Sequence, residues 1–138
     1  MSNIHSGKQF HQDLIHYLWA NVSYTDDGST VSLGWLPSNA VVINAGANVH
    51  TAFDGGTTNT ADIGFRNAGD GTAADTDEFA DALALGSVGR KQNTTINTAG
   101  DTKFPEGCEV VAPIVSTASA TAGSATVWIE YIVDNSGA

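Results

Sequence analysis

Between Ala40 and Asp54 the sequence reads AVVINAGANVHTAFD, and its odd positions, Val41, Ile43, Ala45, Ala47, Val49, Thr51 and Phe53, are mostly apolar. The even positions carry Asn44, Gly46, Asn48, His50 and Asp54. Alternation with a period of two marks a strand that buries one face and wets the other. The run exceeds the ~5 to 6 residues of an ordinary strand, so a bend or bulge is expected at Gly46, where the absent side chain permits unusual backbone angles.

The same alternation recurs along the chain. After Asp54, Gly55 and Gly56 it resumes in TNTADIGF through Ala61, Ile63 and Phe65, which places the two glycines at a tight hairpin, since hairpin turns need positive φ. A phosphate-cradling loop would instead lead into a helix with a lysine or arginine in reach. Val31 to Leu36 forms a short strand closed by Pro37, Ser38 and Asn39. The segment CEVVAPIVST reads as a strand whose Pro113 favours an edge or a bulge, because proline cannot donate to a ladder. SATVWIEYIVD sets Val127, Ile129, Tyr131 and Val133 against Trp128, Glu130 and Ile132, a strand buried on one face and partly covered on the other. A further strand is expected from about Leu14, with residues 1–13 as an N-terminal arm and 14–138 as a single β-sandwich domain. The helical candidate is DTDEFADALALG, where Asp75 with Glu78 resembles a capping box and Gly86 a C-terminal stop.

At 138 residues the chain suits one domain, which would bury roughly two-thirds of its unfolded surface. Its 41% apolar content is rich in alanine and valine, which suits closely packed sheets. Fifteen acidic residues against five basic ones give a net charge of -10, so phosphate backbones and anionic membranes are poor partners. Cys108 is the single cysteine; it excludes an intrachain disulfide and reads as a small buried hydrophobe. No run approaches the ~20 apolar residues of a membrane helix, and MSNIHSGKQFHQD lacks a signal-peptide core, so use without Sec export is expected.

Candidate chemistry is sparse. Asp70, Asp75, Asp77, Glu78 and Asp81 offer hard oxygen ligands for calcium, but NAGDGTAADTDE lacks the EF-hand spacing, and a solvated acidic loop is the competing reading. His11 and His16 are five apart, a step that places the rings on one face of neither a helix nor a strand, and His5 and His50 complete the set. No serine sits in a nucleophile elbow, and no carboxylate pair carries a surrounding motif. The reading is therefore a non-enzymatic protein without cofactors. Tyr17, Trp19, Tyr24, Trp35, Trp128 and Tyr131 would form a sugar-stacking platform if several shared one exposed sheet face; core or subunit-interface packing is the alternative.

The run LGWLPSNAVVINAGANVHTAFDGGTTNTADIGF, the acidic DGTAADTDEFADAL and the terminal TVWIEYIV resemble, over about Val31 to Val133, small structural proteins of tailed bacteriophages of the capsid decoration, or cement, type. The resemblance implies an all-β, jelly-roll-like antiparallel sandwich of about eight strands with one short helical insert. It also implies a homotrimer on the outer capsid surface of the virion, made in the host cytoplasm and bound to the major capsid protein. Under it, Ile4, His5, Lys8, Phe10 and His11 of the arm are the expected capsid contacts, and Trp35 and Trp128 the expected subunit interface. The competing reading is a receptor- or glycan-binding module of a tail fibre or tailspike, although the chain has no coiled-coil heptads or repeats to join a shaft.

Overall fold

A computed structural model of the chain describes residues 14–92 and 103–134. Among the described residues nine strands form, β1 (His16–Ser23), β2 (Thr30–Leu36), β3 (Ala40–Thr51), β4 (Asn59–Arg66), β5 (Asp75–Ala84), β6 (Gly89–Gln92), β7 (Lys103–Phe104), β8 (Cys108–Ser116) and β9 (Ser124–Val133). One sheet has the order β1-β9-β3-β6, with the two-residue β7 also on β3; the other has the order β2-β8-β4-β5. All pairs are antiparallel. Successive strands repeatedly change sheet, and the first strand pairs with the last, which is the jelly-roll arrangement of two interlocked Greek keys. None of the helical segments described is long and apolar enough to cross a membrane.

The inner faces meet in one core that includes Val22, Leu33, Ala45, Ala47, Ile63 and Ile129. At one end Phe104 packs edge to face with Phe65 and Phe79, which are themselves tilted against each other, with ring centroids 4.9 to 6.2 Å apart. Such geometry sets the positive rim of one ring against the negative face of another. Cys108, the first residue of β8, is fully buried, and desolvation pushes its thiol up to about 12, helped by the negative charge of Asp70.

Four expectations are corrected. The twelve-residue β3 bulges between Val42 and Asn44 and again between Val49 and Thr51, not at Gly46. One extra residue reverses the phase of alternation, so Ala40 and Val42 face inward before the bulge, Ala45, Ala47 and Val49 after it, and Ile43 is 40% exposed. Second, Asp54-Gly55-Gly56 is no hairpin, because β3 and β4 belong to opposite sheets. The turn crosses the sandwich: Gly56 adopts φ 84°, and the Asp54 carboxylate accepts from Thr121 Oγ1, Thr121 N and Ala122 N at 2.6 to 3.1 Å. Those bonds, the Thr121 hydroxyl first, hold Asp54 below the usual carboxylate range.

Third, DTDEFADALALG is strand β5 rather than a helix. Its pairing with β4 shifts twice, and Ala82 sits at φ 55°. These irregularities turn Phe79, Ala80 and Leu83 inward at a spacing that imitates the helical period. The helical element that does form is a 3₁₀ turn at Tyr24–Asp26, whose Asp26 carboxylate accepts from Ser23 N at 2.8 Å. Fourth, Pro113 is in an interior strand, since β8 lies between β2 and β4. The ladder to β4 is interrupted opposite it, between Ala61↔Ile114 and Gly64↔Val111, so the missing donor has no bond to break.

Replacement Phe79→Ala removes the centre of the aromatic cluster and is expected to cost about 3–5 kcal/mol in chemical denaturation. Cys108 is expected to resist a thiol-specific reagent at pH 8 in the native protein and to react fully once urea unfolds the chain.

Candidate functional site

Among the described residues the sandwich leaves two outer faces and edges at β1, β2, β5 and β6, with the two-residue β7 following β6 along β3. On the β1-β9-β3-β6 sheet, odd residues of β1 and even residues of β9 point outward, which brings Tyr17, Trp19, Thr126 and Trp128 to one surface. Trp19 and Trp128 are directly paired across the ladder, and Trp128 in turn lies opposite Gly46 of β3. A β-carbon at Gly46 would stand 2.7 Å from Trp128 Cζ2, so only glycine lets the indole extend over β3. The guanidinium of Arg90 on β6 covers the ring, its carbon 4.8 Å from the ring centroid, and Tyr17 approaches at 6.4 Å in an edge orientation. Trp128 is thereby 5% exposed, whereas Tyr17 and Trp19 are 60% and 59% exposed.

Together with Asn48, these residues line an open groove of about 240 Å³. Its polar rim is ordered by side-chain bonds: Thr126 Oγ1 donates to Asn21 Oδ1 at 2.9 Å and lies 3.1 Å from His50 Nε2, and the Tyr17 hydroxyl donates to Glu130 at 3.3 Å. The Trp128 indole N–H is buried and donates to no acceptor among the described residues.

The opposite face carries a cross-strand row of Trp35 on β2, Glu109 on β8 and Arg66 on β4. Arg66 Nε donates to Glu109 Oε1 at 2.8 Å, and Asn67 Nδ2 to the same oxygen at 3.0 Å. Hydrogen bonds from Arg66, then Ser32 and Asn67, bring the Glu109 carboxyl down from 4.5 to about 2. Trp35 lies beside this satisfied cluster and is 60% exposed.

The edges differ in how they are protected. Edge strand β5 carries Asp75, Asp77, Glu78 and Asp81 and two register shifts; β6 is four residues long with Arg90 and Lys91; β2 has a bulge between Ser32 and Gly34. Charges, shortness and bulges are the usual devices against edge-to-edge association. Strand β1, HYLWANVS, has none of them: it pairs in unbroken register with β9, contains no Pro, Lys, Arg, Asp or Glu, and its other edge pairs with no described strand. It packs at the corner of the sandwich against β2, with Leu18 over Gly34, so Leu14, Ile15, Tyr17, Trp19, Tyr24 and Trp35 leave the β1–β2 side studded with exposed apolar groups.

Of the residues singled out in the sequence, Trp35 is on the surface and Trp128 is packed against its own chain. Ile4, His5, Lys8, Phe10 and His11 lie outside the described residues. Asp70 accepts from Thr72 and is lowered by it, while Asp75 and Asp77 share a hydrogen bond that lowers the first and raises the second. No group of three or more His, Cys, Asp or Glu side chains is gathered for a metal among the described residues, Glu78 included. His16 stacks on Tyr131 at 5.3 Å. The unguarded β1 edge and the Gly46–Trp128–Arg90 stack went unread, although the absence of charge from HYLWANVS was visible in the sequence.

No protein-family model and no curated protein matches the sequence. Its fold is shared with chains in solved bacteriophage structures. A chain of the cyanophage Pam1 capsid asymmetric unit superposes with a TM-score of 0.69 at 17% identity, covering 96% of this chain and 94% of its own. A chain of the acidic stable capsid structure of Helicobacter pylori bacteriophage KHP30 gives 0.64 at 16%, covering 88% and 89%. A chain of the capsid of Ralstonia phage GP4 gives 0.59 at 20%, covering 89% and 86%.

Because Glu109 is more acidic in the native state than unfolded, its stabilisation is present above about 4.5 and is lost as pH falls toward about 2. Glu109→Gln is expected to lower the urea midpoint at pH 7, with the difference from wild type shrinking as pH approaches 2.

Proposed function

We propose that the chain is a virion structural protein that binds the outer surface of a bacteriophage head as a decoration, or cement, protein. The observation that carries this reading is the likeness to chains from three phage capsid structures, in which the shared sandwich spans 86% or more of each chain compared. The partner in this reading is the major capsid protein, and the work is done by binding alone, without cofactor or catalysis. Many weak contacts repeated over a lattice, each strengthened by oligomerisation, stabilise a shell through avidity.

In the same reading residues 14–138 form the single sandwich domain, and the arm of residues 1–13, with Ile4, His5, Lys8, Phe10 and His11, reaches the capsid. The β1–β2 side, where the arm joins the sandwich, supplies the contact between copies of a homotrimer, with Trp35 as an anchor. Trp and Tyr at a desolvated contact are the residue types that dominate interface energetics. The acidic surface keeps an abundant virion protein soluble before assembly.

Heads lacking the protein, incubated with the purified chain and pelleted, are expected to take up a saturating, fixed number of copies per capsid subunit. Deletion of residues 1–13 is expected to reduce that uptake by about tenfold or more, equivalent to ~1.4 kcal/mol or more. Failure of the intact chain to pellet would remove the reading. Introducing a lysine at the exposed position just before the open edge strand, Ile15→Lys, is expected to convert the oligomer to monomer in sedimentation velocity while leaving the far-ultraviolet dichroism of the sandwich unchanged.

A further inference from the structure

We propose that the groove formed by Tyr17, Trp19 and Trp128 is a saccharide subsite, which takes one ring of a hydroxyl-rich carbohydrate. The inference is independent of whether the chain sits on a phage head. Three properties of the groove select this ligand class. Its apolar walls are aromatic: Trp19 and Tyr17 stand exposed beside the buried Trp128, offering flat surfaces to the C–H face of a sugar ring. Its polar rim mixes donors and acceptors. The Asn48 amide, the Thr126 hydroxyl and the Arg90 guanidinium suit a ligand whose hydroxyls both give and take hydrogen bonds. Its volume of about 240 Å³ lies below the ~300–1,000 Å³ typical of sites for drug-sized ligands, which fits a single ring with its neighbours left in solvent.

The indole N–H of Trp128 adds a separate observation. It belongs to a side chain 5% exposed on the groove floor and has no acceptor among the described residues. Buried donors are ordinarily paired, and leaving one unpaired is unfavourable. Arg90, an exposed side chain, covers the ring; a hydroxyl entering as Arg90 shifts aside would supply the missing acceptor.

Other occupants fit less well. Strands β9 and β3 beneath the groove are interior, with partners on both sides, so an extended peptide would find no free main-chain groups there. The free main chain is at the edge of β1, and pairing there would leave the outward-pointing Tyr17 and Trp19 on the face. A nucleotide could stack on the same rings, but a chain of net charge -10 repels its phosphates.

The test is saturation-transfer NMR of the full chain with methyl glycosides of glucose, galactose, mannose, rhamnose and the two N-acetylhexosamines, each at tens of millimolar. Transfer to at least one glycoside is expected, with a Kd on the order of millimolar. Trp19→Ala, an exposed position, is expected to weaken binding about tenfold, and Tyr17→Ala to do the same more mildly, whereas Trp35→Ala on the opposite face leaves it unchanged. The inference is overturned if the wild type shows no transfer to any glycoside, or if Trp19→Ala binds as well as wild type. It is likewise overturned if adenosine monophosphate is bound and the glycosides are not, or if Trp19→Ala alters only the oligomeric mass. Head pelleting by Asn48→Ala, a groove residue on interior strand β3 and away from the β1–β2 side, stays at wild-type level while glycoside binding falls, so the failure of one reading is visible without the other.

Discussion

The antiparallel pairing of β3 with β9 governs the rest of the molecule. It joins the centre of the chain to its end, and β1, β6 and β7 attach to the platform it makes. Alanines at 40, 45 and 47 line the buried side of β3, and β3 faces β5 of the other sheet across the core. Small side chains there allow the sheets to approach closely, so that the larger Ile63 and Phe79 fill the space from other strands and Phe53 from the turn after β3. On the outer side the same strand offers Gly46, and over that gap Trp128 extends from β9. One strand thus determines both the thickness of the core and the floor of the outer groove. Its register depends on the bulge after Val42, since a slip of one residue would turn the alanines to solvent and Asn44 and Asn48 into the core.

From this platform the surface divides by strand. The two edges at the β5 and β6 side are guarded by carboxylates, cations and bulges, and the two at the β1 and β2 side are apolar, with β1 unguarded. A soluble protein that leaves a long neutral edge strand open ordinarily pairs it with something. The functional reading draws on that asymmetry as well as on the fold: the β1–β2 side exposes apolar groups, whereas carboxylates and cations mark the β5 and β6 edges. The groove above Trp128 lies on a face rather than an edge, so association through β1 and binding of a small ligand need not compete.

Much of the fold was legible because alternation is a local signal. β3, β4 and β9 announce themselves by period two, β2 and β8 by short runs rich in Val and Ile bounded by turn residues, and the sandwich class follows from their number. What misled was whatever depends on partners distant in sequence. Phe79 and Leu83 lie four apart because β5 bulges against β4, and no window of DTDEFADALALG reveals the strand it will pair with. Asp54-Gly55-Gly56 has the residues of a hairpin, yet the jelly roll sends β4 to the other sheet, where Thr121 and Ala122 satisfy Asp54. Pro113 was read by its missing donor alone, whereas the local break in the β4 ladder lets it sit in an interior strand. The sequence leaves the aromatics between a stacking platform and core or interface packing; their division into a buried Trp128 and exposed Tyr17, Trp19 and Trp35 depends on Gly46 and Arg90, which only the folded chain brings together.

The most direct test of the account is electron cryomicroscopy of phage heads compared with and without the chain. The account predicts additional density at fixed positions on the outer shell, fitted by the two-sheet sandwich in threefold clusters, with the β1–β2 side of each copy turned toward its neighbour. Identical maps, or density confined to the tail, would contradict it.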